Sequence, residues 1–134
     1  LVFKGQGSLI QGLSYGLNRV KDGCIYAFYM GIGKHMKIRN EYTEHAMHIH
    51  EQGLHLKCIM PSDSHDNVFR DGDEKYGFET KRINHTLFSP SVSIEIGGDV
   101  VKMIFHKQKE VVVIEEKGLA DFYKQVFVML WGGR

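Results

Sequence analysis

The sequence predicts an α/β protein built on a mixed sheet of about five to six strands, with a parallel strand-helix-strand start, a C-terminal antiparallel meander and a final helix packed on the sheet. Three observations carry that prediction. Runs rich in β-branched residues at Val92–Ile96, Val100–Phe105 and Val111–Glu115 are separated by a Gly97-Gly98-Asp99 turn and a charged turn from His106 to Glu110, the pattern of hairpins in series. Directly after them Leu119, Phe122, Tyr123, Val126, Phe127 and Leu130 recur at i, i+3, i+4, i+7, i+8 and i+11, one apolar stripe to be buried on the sheet. Before Met60, helical and strand patterns alternate, as parallel strands joined by a right-handed crossover require.

Taken in order, Ser8 serves as N-cap of a helix running to about Lys21, with Leu9, Ile10, Leu13, Leu17 and Val20 on one face. Gly12 and Gly16 lie four apart on it, explained either by close packing or, more blandly, by simple tolerance. Asp22-Gly23 breaks the helix, and the following CIYAFYMGIG reads as a buried parallel strand ending in glycines. A second helix spans Lys34 to Gln52, turning Ile38, Tyr42, Ala46 and Ile49 inward and stopping at Gly53. Leu54 to Met60 is the next strand. Residues 61–77 are rich in turn formers and charges, so they make a mobile loop or a short flanked helix. Thr80 to Phe88 forms a further strand before Pro90, and Gly132 and Gly133 end the last helix.

A chain of 134 residues suits one domain, here 1–134. Seventeen Lys and Arg against 16 Asp and Glu give a net charge of +1 with no run of one sign, so no nucleic-acid footprint is expected on this chain. Cys24 and Cys58 sit inside apolar runs, as reduced buried thiols do. No apolar run approaches the roughly 20 residues that span a bilayer, and there is no signal peptide. The expectation is a cytoplasmic protein without a membrane partner, and a start at Leu1 rather than Met suggests a fragment.

Two groups of residues offer a site. Gly31, Gly33, Lys34 and His35, where a strand meets a helix, and Ser62 and Asp63, after the next strand, lie at the carboxyl ends of two parallel strands, where open α/β sheets bind ligands. Those six residues are the candidate ligand-binding set. His45 and His48 are i, i+3 neighbours that could share a zinc or copper ion with Glu41 or Glu44, while His50 points elsewhere on the helix. The alternative is a boundary histidine with solvated neighbours, and no cofactor or metal is assigned.

The order of features in 92–131, together with the opening LVFKGQGSLIQGL, resembles the catalytically inactive phospholipase D-like effector domain of archaeal TrmB-like transcription regulators. The matching elements are an apolar strand, a Gly-Asp turn, a second strand, a Val-Val-Val-Ile-Glu strand, and a Leu-Ala-x-x-(Phe/Tyr) helix ending near Leu-Trp. The resemblance implies a phospholipase D-like fold, a small-molecule effector (a sugar in the best-known members), a homodimer, and a DNA-binding domain outside this chain. Phe127, Trp131 and the terminal Gly-Gly-Arg are candidates for the dimer contact. Phospholipase D-type enzymes carry His-x-Lys, four residues, then Asp. Counting back from Asp99 places Val92 and Ile94 at the His and Lys positions, and neither side chain can attack phosphorus or hold a phosphate. His35-Met36-Lys37 lacks the Asp, with Tyr42 in its place. His55-Leu56-Lys57 is nearer, Asp63 lying one residue too far, so a phosphodiesterase or nuclease using His55 and Lys57 is the alternative to a non-catalytic sensor, and a metal-responsive sensor using His45 and His48 is a second.

Overall fold

A computed structural model of the protein describes residues 1–5, 7–21, 23–29, 36–61, 73–83 and 92–132, with backbone alone for 36–39 and 61. Along the chain these form β1 (Val2–Phe3), α1 (Ser8–Ser14), a 3-10 turn (Leu17–Arg19), β2 (Cys24–Phe28), α2 (Met36–Glu51), β3 (His55–Pro61), β4 (Glu79–Ile83), β5 (Val92–Gly97), β6 (Val100–Phe105), β7 (Glu110–Glu115) and α3 (Lys117–Gly132). Residues 73–76 add one helical turn. The strands make one mixed sheet in the order β1-β7-β6-β5-β2-β3-β4. β2, β3 and β4 run parallel, and β2 is antiparallel to β5, so the two halves of the chain meet at β2.

Seven strands exceed the expected five to six because Val2–Phe3 pairs antiparallel with β7. Two residues are too few to show alternation, so only the pairing reveals them. The first helix is also shorter than its spacing suggests. Its N-cap is Gly7 in the left-handed region rather than Ser8, whose hydroxyl instead sits between the carbonyls of Gly5 and Lys109. Gly16, at φ 73°, then turns the chain into the 3-10 segment. Gly12 is not merely tolerated. A Cβ there would lie 2.6 Å from Cβ of buried Val111, so only glycine lets α1 settle on β7.

Elsewhere local chemistry places elements where the pattern puts them. At the end of α2 the Leu54 amide bonds the Ile49 carbonyl and the Gly53 amide bonds that of His50, the paired bonds of a helix closed by a left-handed glycine. Gly97 faces Val100 across a two-residue loop, and Phe105 faces Glu110 across a four-residue one. Thr80 lies in β4, of which the described part ends at Ile83; the remaining residues of that expected strand, 84–88, lie outside the described residues.

The sheet has two covered faces. α1 and α2 lie on one, enclosing Leu9, Leu13, Tyr42 and Ile49 with Ile25, Leu56, Ile104 and Val111. On the other, α3 packs on Phe28, Ile59, Ile96 and Val101. Glu116 caps α3, its carboxylate accepting from the Leu119 amide, and Lys81 donates to the carbonyls of Leu130 (3.1 Å) and Trp131 (2.7 Å) at the far end. Of the expected stripe, Leu119, Tyr123, Val126 and Phe127 meet the sheet, joined by Ala120 and Trp131, whereas Phe122 is 56% exposed and Leu130 is also exposed. Every residue from Val126 to Trp131 is apolar, so spacing alone cannot say which side turns inward. Stacking decides it. The Phe127 ring packs edge-on against Tyr26 (5.2 Å) and Phe28 (5.4 Å) and lies 5.5 Å from Trp131. Phe127, a candidate for a dimer contact, is therefore core.

Candidate functional site

Alternation along β5 turns Ile94 and Ile96 toward α3 and Ser93 and Glu95 toward α1 and α2. A carboxylate thus stands at the centre of a covered sheet face, 1% exposed, and a charge so placed needs partners. It has three. His45 of α2 brings Nε2 within 3.0 and 2.9 Å of its two oxygens, the Tyr29 hydroxyl donates to Oε2, and Lys102 Nζ lies 3.8 Å from Oε1. Lys102 is the cross-strand neighbour of Glu95 in the hairpin and also donates to the Leu13 carbonyl of α1. The cluster therefore ties both helices and three strands together.

A second polar pair continues it. Ser93 Oγ is 2.9 Å from His106 Nε2, and the ring of Tyr42 stands edge-on between His106 (6.3 Å) and Tyr29 (5.1 Å). Beside Glu95 and Lys102 lies a cavity of about 10 Å³, lined also by Tyr15, Leu17, Val20 and Ile25, which is the size of a single water.

Electrostatics follow from this packing. Burial alone would raise the Glu95 carboxyl, but the charge and hydrogen bonds of His45, with Lys102 and Tyr29, hold it down at about 2. Burial pushes the Tyr29 hydroxyl well up, and the Glu95 charge adds to the push; burial pulls the Lys102 ammonium down, with Glu95 opposing. A group whose folded pKa lies below its ordinary 4.5 stabilises the fold above that pH and loses this contribution as pH falls toward 2. The difference corresponds to about 3 kcal/mol, so urea midpoints measured from about pH 6 to pH 3 should fall, and Glu95→Gln should flatten that dependence.

What the cluster can do chemically is limited by its enclosure. A base or nucleophile must reach its substrate, and a carboxylate held near 2 is a weak proton acceptor. Its role in the fold is to lock α2 and α1 to the meander.

The residues singled out from the sequence fall differently. Gly31, Gly33, Lys34, His35, Ser62 and Asp63 lie outside the described residues; β2 and β3, which lead to them, are parallel neighbours. His45 and His48 are not brought to one point: His45 meets Glu95, whereas His48 Nδ1 is 3.3 Å from Ser14 Oγ on α1. His50 stacks on Tyr76, with centroids 4.5 Å apart. Among the described residues no three His, Cys, Asp or Glu are grouped to hold a metal ion. His55 pairs with Glu79 at 2.7 Å, and Lys57 Nζ sits 5.6 Å from the Trp131 ring centre. Ile94 belongs to the apolar layer under α3, and Val92 is half-buried on the same face. Cys24 and Cys58 are not joined in a disulfide; the strand register sets Cys24 opposite His55 and Cys58 opposite Ala27.

Glu95 and Lys102 had a readable signal. Each is one charge inside a β-branched strand, and the two are equidistant from the Gly98-Asp99 loop, so the hairpin makes them partners. His45 needed the tertiary fold.

No protein-family model matches the sequence, and no curated protein matches it. Among the described residues no helix is long and apolar enough to cross a membrane. A solved structure of TrmBL2, described as an archaeal chromatin protein with a novel mode of DNA binding, superposes with a TM-score of 0.63 at 12% identity. The match covers 98% of this chain and 52% of that one, so this chain spans about half the length of TrmBL2 and shares the fold of that half.

Proposed function

We propose that this chain is the effector-sensing and dimerising domain of a TrmB-like transcription regulator, on a catalytically inactive phospholipase D-like fold, acting on DNA through a domain outside it. The observation that carries the reading is the superposition of nearly the whole chain on half of a DNA-binding protein, which is how a regulatory module joined to a separate DNA-contacting part would match. The buried cluster supports the non-catalytic half of the reading. Glu95 and His45, each 1% exposed, are turned into the fold and bound to each other. His55 and Lys57, the pair that a phosphodiesterase would use, are engaged by Glu79 and Trp131.

A sensor must bind its effector more tightly in one state than in another. Thermal unfolding against a panel of sugars, other small metabolites and divalent metals tests this. A small polar metabolite should raise Tm in proportion to ln(1 + [L]/Kd), and zinc and copper should not. Hydrolysis of a phosphodiester that disappears in His55→Ala would overturn the reading in favour of the enzyme.

A further inference from the structure

Cys24, His55 and Glu79 stand in a row across the three parallel strands. The register of β2 and β3 sets Cys24 opposite His55, and the His55 amide donates to the Gly23 carbonyl at 2.8 Å. The two side chains therefore leave strands about 4.8 Å apart on the same sheet face, the one that also carries Tyr26 and Phe28. Glu79 lies on that face of β4, opposite Lys57 and so one step diagonally from His55, and its Oε2 is 2.7 Å from His55 Nε2. An imidazole is thus flanked by a thiol on one side and a carboxylate on the other. The row is open to solvent: Cys24 is half-buried rather than enclosed, and the His55 and Glu79 side chains are 35% and 52% exposed.

This arrangement has a definite chemistry. With Nε2 donating to Glu79, the basic nitrogen of His55 is Nδ1, and an imidazole oriented in this way by a carboxylate is the base that converts a neighbouring thiol to a thiolate. The thiolate is the form that attacks sulfur. We propose that Cys24 is a reversible S-thiolation site, a reactive thiol that exchanges with small disulfides, with His55 as its base and Glu79 orienting the ring. His55 accepts the thiol proton, and the Cys24 sulfur attacks one sulfur of the disulfide. A new S–S bond forms as the old one breaks, and the other half leaves as a thiolate with the bonding pair, taking up a proton from His55 or water. Cys58, the second of the chain's two cysteines, cannot carry the exchange further. It faces the layer under α1 and α2 and is 1% exposed, so the product stays a mixed disulfide until an external thiol reverses it.

This use of Cys24 does not rest on effector sensing, and a ligand screen without a hit leaves it standing. Dipyridyl disulfide, an uncharged probe whose released thiopyridone is read by absorbance, tests it on the whole chain. At about pH 7 it should label Cys24 and leave Cys58 unlabelled until the protein is unfolded, as peptide mass mapping reads. His55→Gln and Glu79→Gln should each slow Cys24 at least about threefold at that pH, and the difference should close or reverse by about pH 10, where an ordinary thiol ionises without a base. The other ionisable groups on the elements packed around Cys24 are Tyr26 of β2, Lys57 of β3, Asp99 in the β5–β6 loop, and Tyr123 and Lys124 of α3. They are common to wild type and variants and drop out of the ratio. A substitution that merely loosened the strands would slow the reaction by the same factor at every pH. Far-UV circular dichroism checks the fold, and if His55→Gln loses signal, Glu79→Gln, at an exposed side chain, carries the comparison. Labelling of Cys24 no faster than that of Cys58, variants that react like the wild type at about pH 7, or a slowing that persists to about pH 10 would overturn the inference.

Discussion

Glu95→Gln should lower the free energy of unfolding by about 3 to 5 kcal/mol, a large share of the roughly 5 to 15 kcal/mol by which a domain of this size is stable. The substitution keeps the shape and removes the charge. Lys102, nearly fully buried, then loses its anion, and His45 and Tyr29 lose the carboxylate their polar atoms face. The cost arises from the Lys102 ammonium left behind more than from the bond removed. Adding Lys102→Met should therefore recover part of the loss, because an apolar replacement of a buried ion pair is often neutral. Urea unfolding of the two single variants and the double variant measures it. Losses that simply add would mean that the pair is not coupled.

Phe127→Ala should cost about 3 to 5 kcal/mol, by lost burial and by the cavity left between α3 and β2. The ring is 1% exposed and touches Tyr26, Phe28 and Trp131, so no neighbour can fill the space without abandoning its own packing. Loss of near-UV circular dichroism from the aromatic group should accompany the drop in urea midpoint. A loss within about 0.5 kcal/mol, as for a surface site, would show that α3 is not held by this contact.

The meander, both long helices and the parallel β2–β3 pair were legible because each depends on local periodicity and on glycines at turns. Three features were not. β1 is too short for any period and exists through β7; α1 ends early because Gly16 bends the chain where the apolar spacing continues; and the inward line of α3 is chosen by rings on β2, some 100 residues away in sequence. The buried cluster was half legible. Glu95 and Lys102 announce themselves as single charges in apolar strands, whereas the approach of His45 depends on how α2 crosses the sheet. The six glycine, lysine, histidine, serine and aspartate positions proposed for a ligand remain a reading of the sequence, lying outside the described residues.

The pairing of Val2 with Val112 has a consequence for how the chain is made. A ribosome delivers residues in order, at about 5 to 20 per second, and the first strand and the helix behind it rest on the meander as well as on α2. Until Glu115 has left the exit tunnel, Leu9 and Leu13 have no Val111 or Val113 to lie on. Until then this apolar segment lacks its sheet partner, so β1 and α1 join the fold in a long-range closing event.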